Sequence, residues 1–265
     1  MLDKLQITNI KDFAIVLTGT ITPNSIMTNH DDTMVRRQEY LSAVKFYTKF
    51  APVFFLENSC YSIEQDEEFL EIQNLHIRKS PVSTFSEKGK GYQEFEMIDL
   101  WLDKEEYPPK KWMKISGRYV YDNFENILDE CLIDTHYQLV VDQLYNQRIA
   151  YTVLFFITTN YYNKHFKNLY RLCDDKDNNS YIERILFQAL ENNDDGLVRV
   201  FEEQPSVEVI SGSNGRKMSD TKGSAIYFLR NKMRKASSRS NKKYIIYPLF
   251  ISWIRLSSII KMFGK

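Results

Sequence analysis

This chain is short of the residues that mark several common kinds of site. Its 265 residues hold three cysteines, Cys60, Cys131 and Cys173, widely spaced and without a Cys-x-x-Cys pair. That spacing gives no disulfide framework and fits a reducing compartment, with each thiol read as a small buried apolar group rather than a nucleophile. The four histidines, His30, His76, His136 and His165, form no His-x-x-His or His-Glu pair, so a zinc site is not expected. No apolar run approaches the ~20 residues of a membrane-spanning helix. The opening residues MLDKLQITNIKDF lack the apolar core of a secretion signal, so export is not expected. Neither a Walker loop nor a Gly-x-Gly-x-x-Gly fingerprint is present, and no internal repeat is visible.

Acidic residues are also missing from one stretch. The chain as a whole is neutral, with 35 basic and 35 acidic residues, yet Asp220 is its last acid. Residues 221–265 carry a charge of +11 and residues 1–220 a charge of −11. An acidic body with a basic tail predicts that the tail meets an anionic surface. Within the tail, residues 223–239 read as a basic helix. Residues 244–254, YIIYPLFISWI, are too short to span a membrane and fit an interfacial helix, with a helix docked on the body's own core as the plainer alternative.

What is present alternates. Apolar runs at 13–17, 52–56 and 75–78 predict strands, separated by helical patterns at 34–50 and about 64–71. Asp31 and Asp32 read as the N-terminal cap of the first helix. A helix at 92–102, a strand at 112–116, a helix at 124–130 capped by Asn123, a strand at 151–157 and helices at 160–171 and 180–191 follow. This order predicts an α/β fold with mostly parallel strands and right-handed crossovers. Ligands of such sheets gather at the carboxyl ends of the strands, here Thr18-Gly19, Glu57-Asn58 and Lys79-Ser80. The flexible run Ser211-Gly212-Ser213-Asn214-Gly215 places the end of the body near residue 210 and the tail segment at 211–265.

Several clusters offer chemistry. Lys88-Gly89-Lys90-Gly91 combines backbone that can approach phosphate oxygens with positive charge, although its spacing also suits a surface turn. On the strand at 112–116, Lys114 and Ser116 share a face with Trp112. Arg118 follows Gly117 and precedes Tyr119, free either to grip a diphosphate in bidentate fashion or to pair with a surface carboxylate. Glu57, Glu94, Glu96 and Glu183 are candidate carboxylates for deprotonating a hydroxyl, with helix-dipole compensation as the plainer role for Glu183. Asp174-Asp175-Lys176-Asp177 has metal-motif spacing but lies between helices, and reads as a solvated loop. Arg37 and Tyr40, three apart on a helix, either flank a nucleotide or are a solvated arginine and a core tyrosine.

Taken in order, these pieces resemble a known group. They are Thr18-Gly19-Thr20-Ile21, Arg37 with Tyr40, Leu56-Glu57-Asn58-Ser59, Lys88-Gly89-Lys90-Gly91 with Glu94, and Lys114 with Gly117-Arg118-Tyr119 and Asn123. Over roughly residues 13–190 the chain resembles bacterial glycosyltransferases of lipopolysaccharide O-antigen and capsule gene clusters. The resemblance implies a GT-A-like, Rossmann-type mixed and mostly parallel sheet flanked by helices, with the basic helical tail appended. It implies a nucleotide-diphosphate sugar donor, UDP-linked by preference, and a lipid-linked saccharide acceptor. Thr18, Gly19, Thr20, Arg37, Lys88, Gly89, Lys90, Gly91, Glu94, Lys114, Gly117 and Tyr119 would bind the donor. Arg118 would act on the diphosphate, and Glu183, or Glu57 as second choice, would serve as base. Ordinary GT-A enzymes hold a divalent metal with Asp-x-Asp, whereas the comparable strand end here carries Ser116-Gly117-Arg118-Tyr119. No divalent metal or other cofactor is therefore expected. The implied location is cytoplasmic, on the inner face of the bacterial membrane, with the tail on anionic lipid and no nucleic-acid partner. A non-catalytic, membrane-peripheral assembly or scaffold protein on a degenerate nucleotide-binding fold is the alternative.

Overall fold

A computed structural model of the chain describes residues 9–23, 30–145, 147–177, 180–193, 196–210 and 217–219. Its first strand, β1 (Phe13–Gly19), is buried along its whole length, which is why its sequence is an apolar run rather than an alternation. Parallel neighbours β2 (Val53–Glu57) and β3 (Leu75–Lys79) lie on one side of it, and β4 (Lys111–Ser116) pairs parallel on the other. Next comes β6 (Ile149–Thr158), antiparallel to both β4 and β5 (Leu139–Leu144), and β7 (Val198–Arg199) closes the edge parallel to β5. The seven-stranded order is β3-β2-β1-β4-β6-β5-β7, so only β6 runs against the rest. The expected mixed, mostly parallel α/β sheet is the one observed.

Helices cover both faces. On one face, α1 (Thr33–Tyr47), α2 (Glu67–Leu70) and α4 (Phe124–Ile133) pack Tyr40, Val44, Phe69 and Phe124 on Ile15, Leu17, Phe55 and Met113. On the other, α3 (Lys90–Lys104), α5 (Thr159–His165) and α6 (Ile182–Asn192) bring Phe95, Trp101, Tyr162 and Phe187 against Val16, Phe54, Trp112 and Phe155. The alternation of the strands thus sends even-numbered residues of β1 and β4, Thr18 and Lys114 among them, towards α3. The chain leaves β1 towards β2 on one side and returns as β4 on the other, and the carboxyl ends at such a switch point are where sheets of this kind form a ligand crevice.

Several local expectations change. The strand at Leu139–Leu144 was not expected; Asp142 and Gln143 interrupt its apolar pattern, and its pairing with β6 shifts register between Val141 and Gln143. The helix expected at 160–171 stops at His165, and Asn168, at φ 67°, separates it from a short 3₁₀ turn, Leu169–Leu172. Asp32 does cap α1, its Oδ1 accepting from Val35 N at 2.9 Å. Asn123 caps nothing with its side chain; it bonds Gln204 O and Ser206 N instead, tying α4 to the segment after β7. A hairpin of β8 (Glu208–Ile210) and β9 (Lys217–Ser219) pairs across the boundary drawn at residue 210. The expected tail helices at 223–239 and 244–254 lie outside the described residues, among which no helix is long and apolar enough to cross a membrane.

Gly117 lies where β4 leaves the sheet beside β1. A Cβ there would stand 2.7 Å from the Thr18 carbonyl oxygen and 3.1 Å from the Tyr40 ring. Backbone on one side and a buried ring on the other leave no easy relaxation. Gly117→Ala is expected to lower stability by about 1–3 kcal/mol, read as a shift of the urea midpoint with unchanged m-value.

Candidate active site

The crevice is built from three directions, beginning with α1. Arg36, not Arg37, points into the fold. Its Nε bonds Thr20 O at 3.0 Å and Ile21 O at 3.2 Å, its Nη1 bonds His30 O at 3.0 Å, and its Nη2 bonds Thr20 O and the Tyr40 hydroxyl. All three nitrogens are committed to the protein, so Arg36 gives the site its charge rather than its contacts. Arg37 faces the other way, bound to Asp66 at 2.6 and 2.7 Å, to Glu68 and to the Tyr61 hydroxyl, and is thereby withdrawn from the expected donor site. The periodicity of the buried residues carried this signal: Arg36, Tyr40, Val44 and Tyr47 share the core-facing side of α1.

Arg118 enters from the end of β4. Its Nη1 lies 2.7 Å from Glu39 Oε2, which also bonds His30 Nε2 at 3.0 Å, and its side chain is 7% exposed. Its Nε and Nη2 meet no acceptor among the described residues, so two donors of the fork remain available. The Tyr119 phenol beside it is raised above its usual range, chiefly by burial.

The third direction is the N-terminus of α3. Gly89, at φ 98°, precedes the helix, and the carboxylate of Asp175 sits against it, accepting from Lys90 N at 2.8 Å and Gly91 N at 3.5 Å. A Cβ on Gly89 would coincide with that carboxylate. The backbone donors of Lys88-Gly89-Lys90-Gly91, expected to cradle a phosphate, therefore hold an internal acid. Asp175 is correspondingly a helix cap and not part of a solvated loop, while the Asp174 carboxylate makes a local turn to Lys176 N. Of the two lysines, Lys88 lies over the Phe85 and Tyr92 rings. Lys90 is half-buried, and burial followed by the charges of Arg36 and Arg118 pushes its ammonium down to about 8, against the pull of Asp175. Three cations from three separate elements thus share one field.

Behind them lies a buried polar chain. Lys114 has no exposed surface, and its Nζ contacts Glu94 Oε1 at 2.6 Å, Thr152 O at 2.5 Å and Ser116 Oγ at 3.2 Å. Burial holds its pKa below the ordinary lysine range. Thr18 Oγ1 donates to the same Glu94 oxygen at 2.5 Å, and Thr152 Oγ1 donates to Glu183 Oε1 at 3.1 Å. The Glu183 carboxyl is raised by burial, with Glu94 and Asp175 adding to the shift. Lys114, expected as a donor-binding cation, is instead sealed beneath Glu94. Nothing local to Lys114 points to Thr152, which comes from the antiparallel neighbour β6.

The remaining expected residues are structural here. Glu57 has no exposed surface; it holds Lys79, Ser59 Oγ, Ser59 N at 3.0 Å and Ile21 N at 3.1 Å, which leaves it no route to a substrate hydroxyl. Gly19 lies beneath the Phe55 and Tyr40 rings, with no room for a Cβ. Thr20 N bonds the Tyr40 hydroxyl at 3.0 Å and its Oγ1 bonds Asn58 at 2.7 Å. No three His, Cys, Asp or Glu side chains among the described residues are grouped as metal ligands.

These contacts set two stability expectations, each measurable by chemical denaturation. Asp175→Ala removes the cap of α3 and is expected to cost about 1–2 kcal/mol, while Gly89→Ala adds a side chain at positive φ and costs about 1–3 kcal/mol. Lys79→Met strands the Glu57 carboxylate in the core and is expected to cost about 3–5 kcal/mol.

No family model matches the chain, and no curated protein matches it. Among solved structures it is similar to the glycosyltransferase GlyE of Streptococcus pneumoniae TIGR4, at TM-score 0.46 and 12% identity over 74% of this chain. It spans 46% of the length of that protein. It is also similar to a CMP:2-keto-3-deoxy-manno-octonic acid synthetase complexed with CTP, at TM-score 0.42 and 9% identity, over 72% of this chain and 89% of the other. A cytidylyltransferase from Leptospira borgpetersenii gives TM-score 0.41 and 12% identity, over 95% and 97% of the two chains. These likenesses concern the fold.

Proposed function

We propose that the chain transfers a sugar from a nucleotide-diphosphate donor, UDP-linked by preference, to a hydroxyl of a lipid-linked saccharide in surface-polysaccharide synthesis. One observation carries this reading: Arg36, Arg118 and Lys90 converge at the carboxyl end of β1 and β4, with Arg118 keeping two donors unused. Departure of a nucleoside diphosphate builds negative charge on the bridging oxygen. Fixed cations in a partly dry site stabilise that charge as it develops. In this proposal Arg118 contacts the diphosphate, and Lys90 and Arg36 supply the surrounding field, without a divalent metal. Glu94 and Glu183, on the α3 side of the crevice, are the carboxylates in reach of an acceptor. The basic residues 221–265 place the enzyme on anionic lipid, each well-placed cation adding ~1 kcal/mol of attraction.

A thermal-shift screen against UDP-, GDP-, CMP- and dTDP-sugars, with and without EDTA, tests the reading. One nucleotide is expected to stabilise the protein in EDTA as it does without it; no shift from any of them sinks the proposal. Arg118→Ala removes a charge-assisted contact of about 1.5–3 kcal/mol, so the affinity should fall roughly 10–100-fold. Because Lys90 titrates at about 8 in the free protein, it is charged below that pH and loses its charge above. A bound diphosphate favours the charged form, so the affinity is expected to fall as pH rises from 7 through 9, with proton uptake on binding by calorimetry. Deleting residues 240–265, with five of the eleven cations of the tail, should weaken co-sedimentation with phosphatidylglycerol vesicles and leave donor binding intact.

A further inference from the structure

Glu94 is held in an unusual way for a helix carboxylate facing a cleft. One oxygen is fully engaged: Oε1 receives the Thr18 hydroxyl at 2.5 Å and the Lys114 ammonium at 2.6 Å. The other, Oε2, meets no donor among the described residues, and the side chain keeps 22% of its surface exposed. Lys114 cannot follow any motion of the carboxylate, because its remaining donors are spent on Thr152 O and Ser116 Oγ inside the sheet. The result is a carboxylate with one oxygen anchored to the floor of the crevice and the other presented to it.

Its neighbourhood fits a reacting centre. Lys90 and Glu94 stand one turn apart on α3 and so share a face. The charges of Glu94 and Arg118 both bear on the Tyr119 phenol, which stands next to Arg118 in the chain. Glu183, the other carboxylate in reach, holds the Thr152 hydroxyl through its Oε1, and burial raises its carboxyl, with Glu94 and Asp175 adding to the shift.

We propose that Glu94 Oε2 accepts the proton of the attacking acceptor hydroxyl, with Lys114 and Thr18 as positioning residues that hold Oε1 and aim Oε2. This rests on the transfer reading above. In the step, the acceptor oxygen bonds to the anomeric carbon as its proton passes to Glu94. The bond from that carbon to the diphosphate oxygen breaks, and the nucleoside diphosphate leaves with the electron pair, received by Arg118 and Lys90. Glu94 then releases the proton to water. Lys114 touches no substrate; it acts through Glu94 by removing the freedom of a flexible side chain before the reaction begins.

The test separates rate from binding in the full-length chain. Binding is measured with UDP, GDP and dTDP. Turnover is measured as release of the nucleoside diphosphate from the corresponding glucose donors, with water standing in for the acceptor. Glu94→Gln is expected to bind nucleotide within about threefold of wild type and to lose about 100-fold or more in turnover. Thr18→Val and Lys114→Met are expected to lower kcat by about 10–100-fold, with KM for the donor within threefold. Thr18→Val removes only a hydroxyl, so it carries the test where Lys114→Met unfolds the chain. Glu183→Gln is expected to keep more than a tenth of wild-type turnover. Glu94→Gln turnover within threefold of wild type overturns the assignment, as does a loss of affinity matching the loss of rate. Failure of the wild type to bind any of the three nucleotides instead overturns the transfer reading itself.

Discussion

A lysine ammonium with no exposed surface is the constraint around which this fold is arranged. Lys114 stands in β4, in the centre of the sheet and on the face towards α3. Left alone there it would lose its proton or break the packing. Glu94 answers it from α3, Thr152 from β6 through its backbone, and Ser116 from β4 itself. The ion pair therefore fixes the rotation of α3 on the sheet, because Glu94 reaches Lys114 only when Phe95, Ile98 and Trp101 face the core. That rotation in turn brings Lys90 into the field of Arg36 and Arg118. A hydrophobic pair in place of Lys114 and Glu94 would pack at least as well. Retaining ions here fits a site that needs a charged group held still.

The same economy appears at the start of α3. Helix N-termini attract anions, and glycine before the helix lets one approach. The local sequence therefore reads as a phosphate cradle. Asp175, 85 residues further on, fills it. The positive end of the helix dipole is thereby neutralised inside the protein. What remains for an external anion is side-chain charge, from Lys90 and the two arginines. The Lys90 pKa records the balance: after burial, Arg36 and Arg118 outweigh Asp175.

Sheet and helices were largely legible in the chain, because β1, β2 and β4 are buried on both faces and announce themselves as apolar runs. The unexpected strand, β5, carries Asp142 and Gln143 at an irregular point where the ladder shifts, so its pattern does not alternate cleanly. Positions were legible where local geometry decides them, as for Arg118 just beyond the end of β4. They were not where one residue of helical phase matters. Arg36 and Arg37 differ by 100° around α1, and only the buried periodicity separates a clamp on the Thr20, Ile21 and His30 carbonyls from a largely buried pair with Asp66. Long-range partners, Asp175 on Gly89 and Thr152 above Lys114, leave no trace in local sequence at all.

Glu57, at the end of β2, and Glu94, on α3, show why a carboxylate cannot be judged by its position alone. Both stand at the carboxyl edge and both pair with a lysine. For Glu57 the lysine comes from above: Lys79 is 25% exposed while Glu57 has no exposed surface, so the cation seals the acid in. For Glu94 the order is reversed, with the lysine beneath and the carboxylate towards the cleft. Identical chemistry thus yields a structural lock in one place and a presented anion in the other. The direction of burial across the pair, rather than the pair itself, decides which acid can meet a substrate.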